Sequence, residues 1–224
     1  MPVRLLLCAV LLAARAPALE IVRDGRAVAE LVLAPGANAS QTQAAQDLQT
    51  YWRAISGAIV PIVEAPTGAA SNRIYVGESA FTRALGFDLK EVARGGYKLV
   101  VGREYAIVAG RDLLRDAPPF DSRNPESVLA WQRHVGAPFP VPSVFRGARG
   151  GLLPNLGIRG NDDTGTWYAA CDLLEQLGVR WYAPGEHGTV VAASPHIRLP
   201  EQTRVRAPRF AVRELYVYTT GEEM

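Results

Sequence analysis

Two pairs of adjacent ionisable residues are the first candidates for chemistry in this sequence of 224 residues. Asp162–Asp163 precedes a predicted helix, and Glu186–His187 lies on a turn after a predicted strand. Glycosidases use two carboxylates that flank one bond, and neighbouring aromatic rings can raise the pKa of an acid such as Glu186. Adjacent aspartates ahead of a helix are more simply caps, and a turn carboxylate more simply bonds nearby backbone. We therefore predict no catalytic residue in this chain.

Trp181 and Tyr182 are neighbours in a short, branched and aromatic segment. Their rings offer flat apolar faces of the kind on which sugars stack. Successive side chains of a strand point to opposite faces, so one of the two should point inward, and we predict that Trp181 fills the core. The sequence thus contains four possible glycan contacts: Trp181, Tyr182, Glu186 and His187.

Metal and cofactor chemistry has little support in the sequence. The histidines His134, His187 and His196 are scattered, and HExxH and CxxC motifs are absent. The sequence also lacks a G-x-S-x-G elbow, a Walker loop and a G-x-G-x-x-G run after a strand. We predict no cofactor and no metal. Four arginines in a proline-rich segment could meet acidic sugars such as uronates, or could simply be solvated: Arg133, Arg146, Arg149 and Arg159.

The stretch 160–188 contains the acidic and aromatic candidates and should position them. Its pattern predicts one loop, one helix, one strand and one tight turn. Asp163 or Thr164 can cap the start of the helix, and Gly178 can end it in a left-handed conformation, with Val179 folded back on the helix. Residues 179–182 suit a strand, and Pro184–Gly185 suits a turn. Four residues at helical spacing mark the predicted buried face: Trp167, Cys171, Leu174 and Leu177.

The same stretch carries the pattern D-x-x-G-x-x-Y-A-x-x-D-L-L-E-x-L-G-V-R-W-Y-x-P-G-E-x-G. It resembles the N-terminal domain of α-glucuronidases of glycoside hydrolase family 67 and the related small domain of family 20 hexosaminidases. The resemblance covers roughly residues 19–212. It is densest at 165–188 and weaker at 44–57 and 73–77. In the look-alikes, large secreted bacterial proteins, this domain precedes a (β/α)8 barrel.

Three functions follow from these observations. The resemblance implies a non-catalytic accessory domain of an exported carbohydrate-active protein, with carbohydrate and its own C-terminal barrel domain as partners. The alternative is a stand-alone module that binds a glycan or a partner. A third hypothesis, which we disfavour, is a self-contained hydrolase that uses Asp162, Asp163 or Glu186.

Composition and the N-terminus bound the class of protein. A hydrophobic content of 48% with 21% charged residues is typical of a soluble globular protein, and a net charge of +2 does not favour nucleic acid. A basic start, a short apolar run and Ala16-Pro17-Ala18 predict a signal peptide over 1–18, and hence export to the periplasm or the medium. Its cleavage would leave no membrane anchor and Cys171 as the only cysteine, so no internal disulfide is expected.

The remaining elements predict an α+β fold, a mixed β-sheet with the main helices packed on one face. Ser40 and Gln43 fit a capping box for a helix that runs to Ile55 and stops at Gly57. Its predicted buried face is Ala44, Ala45, Leu48, Trp52 and Ile55. Strands are predicted near 20–23 and 30–33 around a turn at Asp24–Gly25, near 97–101 and 105–109 as a hairpin, and near 59–63, 73–76, 189–191 and 196–199, with a short helix near 79–85.

Domain organisation follows from breaks in these patterns. The accessory domain is predicted over 19–199, with a long proline-rich insertion at 113–159. Residues 200–224 are predicted to be a linker, from 200 to 208, and the truncated start of a catalytic barrel.

Overall fold

The computed structural model describes residues 18–113, 126, 163–183 and 186–209. The signal peptide up to residue 17, Asp162, the turn Pro184–Gly185 and the predicted barrel start from residue 210 lie outside the described residues. So do the predicted insertion, apart from Leu113 and Glu126, and the side chain of Glu186. None of the described helices is long and apolar enough to cross a membrane.

The described residues form thirteen β-strands and three α-helices. The strands are β1 (Ala18–Arg23), β2 (Arg26–Ala27), β3 (Ala29–Leu33), β4 (Ile62–Val63), β5 (Asn72–Val76), β6 (Tyr97–Val101), β7 (Tyr105–Gly110), β8 (Asp112–Leu113), β9 (Asp163–Thr164), β10 (Arg180–Trp181), β11 (Thr189–Val190), β12 (Ile197–Pro200) and β13 (Gln202–Arg206). The helices are α1 (Ala39–Ser56), α2 (Ala80–Ala84) and α3 (Gly165–Gln176), with a 3-10 turn at Glu186–Gly188.

A mixed six-stranded sheet of order β13-β6-β7-β5-β3-β4 forms the centre of the fold. The four strands β4, β3, β5 and β7 run parallel, and β6 pairs antiparallel with both β7 and β13. A smaller sheet has the order β12-β1-β2. The ribbon β8-β9 pairs Leu113 with Asp163, so the chain leaves and returns side by side at the predicted insertion. The mixed α+β fold is confirmed.

The two long helices pack on one face of the large sheet, as predicted. Leu48 and Trp52 of α1 and Leu173 and Leu174 of α3 are fully buried in one core together with the sheet. Residues of the small sheet, such as Ile21, complete that core. A second cluster covers the opposite face, where α2 and the 87–92 segment pack.

Helix α1 matches its predicted buried face but not its predicted start. Its N-cap is Asn38, whose capping box uses Gln41, rather than Ser40 with Gln43. Ser40 is instead fully buried and donates to Asp112. A buried hydroxyl needs a hydrogen-bond partner, and here the partner comes from another element of the fold. Residue spacing along the helix does not reveal such a partner. Gly57 ends the helix at a φ of 77°, as predicted.

Helix α3 begins at a close approach to the sheet. A Cβ at Gly110 of β7 would overlap the backbone of Gly165, so only glycine allows this contact. Thr164 makes no side-chain cap, so the predicted cap by Asp163 or Thr164 is wrong. The end is as predicted: Gly178 has a φ of 91°, and the Val179 amide donates to the Leu174 carbonyl at 3.1 Å.

The buried stripe of α3 is rotated relative to the prediction. Leu174 is fully buried, but Trp167 and Cys171 are only partly buried. The core stripe runs instead through Ala169, Ala170, Leu173 and Leu174. The two alanines are small, which lets the helix axis lie close to the sheet and leaves the larger Trp167 at the flank.

Two strands differ from the sequence expectation. The turn at Asp24–Gly25 pairs β1 with the short β2, whereas Glu30 belongs to β3 of the large sheet. Residues 202–206, within the expected linker, form edge strand β13, antiparallel to β6. Arg204 of β13 pairs with the buried carboxylate of Asp172 at 3.0 Å, which ties this strand to α3. The partners of this strand, β6 and Asp172 of α3, are distant in the sequence, so local composition did not reveal the strand.

Candidate functional site

Two indole rings are anchored to the same face of α1, one helical turn apart. Trp167 Nε1 donates to Asp47 Oδ2 at 2.7 Å, and Trp181 Nε1 donates to the Tyr51 hydroxyl at 2.6 Å. Asp47 and Tyr51 are at positions i and i+4, about 6 Å apart along the helix axis. The flank of α1 therefore holds Trp167 of α3 and Trp181 of β10 in a row.

Trp181 and Tyr182 lie at the rim rather than in the core. Trp181 is 37% exposed and Tyr182 is 78% exposed, so the prediction that Trp181 fills the core is wrong. The reason is that β11 is the only described strand that pairs with β10, and Arg180, Trp181 and Tyr182 are all exposed. Alternation on a strand buries a side chain only where another layer covers one face of the ribbon.

The Trp181 ring is held in position in spite of its exposure. Its centroid lies 5.4 Å from that of Tyr51, with the ring planes at 85°. This edge-to-face contact, together with the indole hydrogen bond, leaves the ring little freedom. The Tyr182 amide donates to the Gly188 carbonyl at 2.7 Å and fixes the backbone beside it. Side chains that are ordered before binding lose less entropy when a ligand arrives.

The structure brings His187 to the same ribbon as the two aromatic residues. The turn Glu186–Gly188 connects β10 to β11, and the His187 side chain is exposed. A Cβ at Gly188 would overlap the backbone of Ala183, so glycine is required for this tight turn. Three of the four predicted glycan contacts, Trp181, Tyr182 and His187, therefore share one exposed edge, which we name the aromatic edge.

Asp47 is the member of this region that the sequence did not reveal, since it lies outside the predicted buried face of α1. Its Oδ1 accepts from Gln43 Nε2 at 2.7 Å, and its Oδ2 accepts from Trp167. Burial raises the pKa of the Asp47 carboxyl, while the bonds from Trp167 and Gln43 act in the opposite direction. The spacing of Gln43, Asp47 and Tyr51, each four residues apart, is the sequence signal for this polar stripe.

Cys171 is the free cysteine of the described chain, and its thiol should react slowly. Burial, followed by the negative charges of Asp47 and Glu175, raises its pKa to about 12 from 9.0. The thiolate fraction near pH 8 is then roughly a thousandfold below that of an unshifted thiol. We expect iodoacetamide to modify the native protein far more slowly than the urea-unfolded protein, measured by intact mass over time. Equal rates would contradict this environment.

Asp163, a possible catalytic acid in the sequence, takes part in an ion pair and a strand of the fold. It pairs with Arg94 at 2.6 Å and lies in β9 beside Leu113. The cap of α3 comes from Asp112 instead: its Oδ1 accepts from the Thr166 amide at 2.9 Å, and its Oδ2 from the Thr166 hydroxyl at 2.6 Å. Asp112 also accepts from Ser40 at 2.9 Å and from Asn38 at 3.4 Å. It thus joins the starts of both long helices.

The described residues do not bring a cluster of metal ligands together. No group of three or more His, Cys, Asp or Glu side chains there is arranged to hold a metal ion. His196 contacts Asp24 in the turn between β1 and β2, and His134 lies outside the described residues.

Comparison with known proteins gives a distant likeness. No family model matches the chain, and a search of curated proteins finds no match. Twelve chains of solved structures match. One is a family GH115 4-O-methyl-α-glucuronidase with specificity for decorated arabinogalactans, with 14% sequence identity and a TM-score of 0.46. The match covers 85% of this chain and 18% of that chain. This chain is therefore distantly similar to part of a glycoside hydrolase, and membership of family 67 or family 20 stays a prediction.

Proposed function

We propose that this chain is a non-catalytic accessory domain of an exported carbohydrate-active protein, and that it contacts glycan through the aromatic edge. The observation that carries the proposal is the placement of Trp181 and Tyr182, 37% and 78% exposed, with Trp181 held by Tyr51. A fixed, half-exposed indole whose N–H is already bonded within the protein offers its faces rather than its donor to a ligand.

Sugar rings suit such an edge. The C–H faces of a pyranose are apolar and stack on aromatic rings, while its hydroxyls need polar partners. The Tyr182 hydroxyl and the His187 imidazole, both on exposed residues of the same ribbon, can supply those partners. The aromatic edge therefore combines the two kinds of contact that a glycan chain requires.

The non-catalytic role rests on what the described acids do. Glycoside hydrolysis requires two carboxylates that face each other across roughly 5–9.5 Å of open cleft. Asp163 is engaged by Arg94, and Asp112 accepts from both helix starts, so each already has a structural function. In the proposal, catalysis belongs to a barrel domain of the same protein that follows this domain.

The aromatic edge should be required for glycan binding. We expect Trp181→Ala and Tyr182→Ala each to weaken binding about five- to tenfold, roughly 1–1.4 kcal/mol, because each removes one stacking face. The measurement is retardation in native gels that contain glucuronoxylan, arabinogalactan or soluble chitosan. Leu85→Ala is the matched control, since Leu85 is 43% exposed and follows α2 on the opposite face of the sheet. Unchanged retardation in both edge variants would overturn the glycan contact.

A stand-alone binding module is the alternative, and the same aromatic edge supports it. The gene sequence distinguishes the two hypotheses: a reading frame that continues past Met224 into a barrel selects the accessory domain. Turnover of aryl glucuronides or aryl N-acetylhexosaminides by residues 19–224 would reject both. We expect none.

Export is part of the proposal and can be tested directly. We expect N-terminal sequencing of secreted material to start at Leu19, after Ala16-Pro17-Ala18. Leu19 is fully buried in β1 and its backbone pairs with Leu199, so cleavage before Leu19 removes Ala18 from β1 but keeps the strand from Leu19 onward. A mature start beyond Ile21 would remove buried residues of β1 and would contradict the assignment.

A further inference from the structure

The large sheet has a crevice where its parallel strands diverge. From β3 the chain enters α1, which packs on one face of the sheet, and returns as β4 on one side of β3. From β5 it enters α2, on the opposite face, and continues to β6 and then β7, both on the other side of β5. Neighbouring strands β3 and β5 thus send the chain in opposite directions. At such a point the two loops beyond the strand ends separate and leave an opening.

The opening has the size of a small-molecule site. Its volume is about 410 Å³, and it lies between the 34–37 loop after β3 and the 76–83 segment after β5. Small ligands occupy pockets of roughly 300–1,000 Å³. Gly36 and Gly77 shape these loops with φ angles of 79° and 84°. At Gly77 a Cβ would collide with the side chain of Gln41, so a larger residue there would displace that side chain.

The charges around the crevice do not favour an anion. Arg83 and Glu78 pair with each other at 3.2 Å, so the rim carries no net charge from them. The helix starts that border the crevice are closed by their own capping boxes, Asn38 with Gln41 and Ser79 with Thr82. The groups that commonly attract phosphate or carboxylate are already satisfied within the protein.

The residues that line the crevice instead provide both an apolar surface and hydrogen-bonding groups, which a sugar site requires. Phe81, Val76 and Pro35 are the apolar residues of the lining, and the Phe81 ring is in contact with that of Tyr75, with centroids 6.4 Å apart. Gln41 Oε1 accepts from the Asn38 amide and Glu78 Oε1 accepts from Arg83, so the groups that can bond a ligand beside that surface are Gln41 Nε2 and Glu78 Oε2. An apolar face next to amide and carboxylate groups fits a ring that has C–H groups on its faces and hydroxyls at its edge.

We propose that this crevice binds a single neutral pyranose ring. It is a second site, distinct from the aromatic edge: Gln41 and Tyr51, which border the two sites, are ten residues apart on α1, about 15 Å along the axis. Its ligand is a monosaccharide or the terminal sugar of a glycan, because the opening is too small for a longer chain of sugars.

The test is a titration of the full chain, labelled with nitrogen-15, followed by the amide signals of Gly36 and Gly77. The probes are D-glucose, D-galactose, D-xylose, N-acetyl-D-glucosamine and D-glucuronate. At least one neutral sugar should give saturable shifts of both signals with a dissociation constant on the order of 1 mM. The absence of saturable shifts up to roughly 50 mM for every neutral sugar would overturn the proposal, as would binding of glucuronate alone.

Matched variants locate the binding. Phe81→Leu keeps an apolar side chain but removes the stacking face, and Glu78→Gln removes the charge without changing the shape. Each should weaken the response at least about fivefold, whereas Glu64→Gln, on the exposed loop after β4, should not change it. Equal affinities in Phe81→Leu, Glu78→Gln and the unsubstituted protein would exclude the crevice. Trp181→Ala should leave the Gly77 shifts unchanged, so this site and the aromatic edge succeed or fail separately.

Discussion

Trp52→Ala is expected to lower the free energy of unfolding by about 3–5 kcal/mol, the largest effect of any single change considered for this domain. Trp52 is 0% exposed and lies in the core between α1, the large sheet and the small sheet. Its removal leaves a cavity that the surrounding strands cannot fill without moving. The measurement is urea denaturation followed by circular dichroism, because substitution of a tryptophan changes the fluorescence signal itself.

Trp52→Phe is the control for this prediction. The indole Nε1 is buried and has no hydrogen-bond partner among the described residues, so its loss removes an unsatisfied donor. That gain offsets part of the lost packing, and we expect a net cost of about 1 kcal/mol or less. Equal losses for phenylalanine and alanine would contradict the account in which the ring volume of residue 52 fills the core.

Asp112→Ala should have the second-largest effect, a loss of about 2–4 kcal/mol. The carboxylate accepts four hydrogen bonds: one from Asn38, one from Ser40 and two from Thr166. Without it, the Ser40 and Thr166 groups at the starts of α1 and α3 lose a shared acceptor in a largely buried place. The same denaturation experiment measures the cost.

Two further variants separate the hydrogen bonds from general damage. Asp112→Asn keeps the shape and one acceptor oxygen, so its loss should be smaller than that of Asp112→Ala. In a cycle with Thr166→Val, the double variant should lose less than the two single losses together, because both remove the same contacts. Additive losses would mean that Asp112 and Thr166 stabilise the domain independently, contrary to the observed geometry.

The contacts of Asp112 could not be predicted from the sequence. Its partners Ser40 and Thr166 are 72 and 54 residues away along the chain. The sequence offered Asp163 and Thr164 as caps because they are adjacent to α3, but a cap needs only an acceptor at the right place in space. The tertiary structure supplies that acceptor from β8, and Asp163 pairs with Arg94 instead.

The aromatic edge could be predicted in part. The residue types of Trp181, Tyr182 and His187 pointed to glycan contact, and their proximity in sequence ensured that they would share one ribbon. Their exposure could not be read from the sequence, because strand alternation does not say whether a second layer covers the ribbon. The anchoring of Trp181 by Tyr51 bridges 130 residues and has no local signature.

By itself the sequence determined the features that depend on neighbours within a few residues. These are the buried face of α1, the left-handed end of α3 at Gly178, and the hairpin of β6 and β7, because helical spacing and turn chemistry act over short distances. The tertiary structure alone decided the features that depend on distant partners. The rotation of α3, the strand at 202–206, the role of Asp112 and the crevice beyond β3 and β5 arise only when separate segments pack, since burial and hydrogen bonding are satisfied in space rather than along the chain.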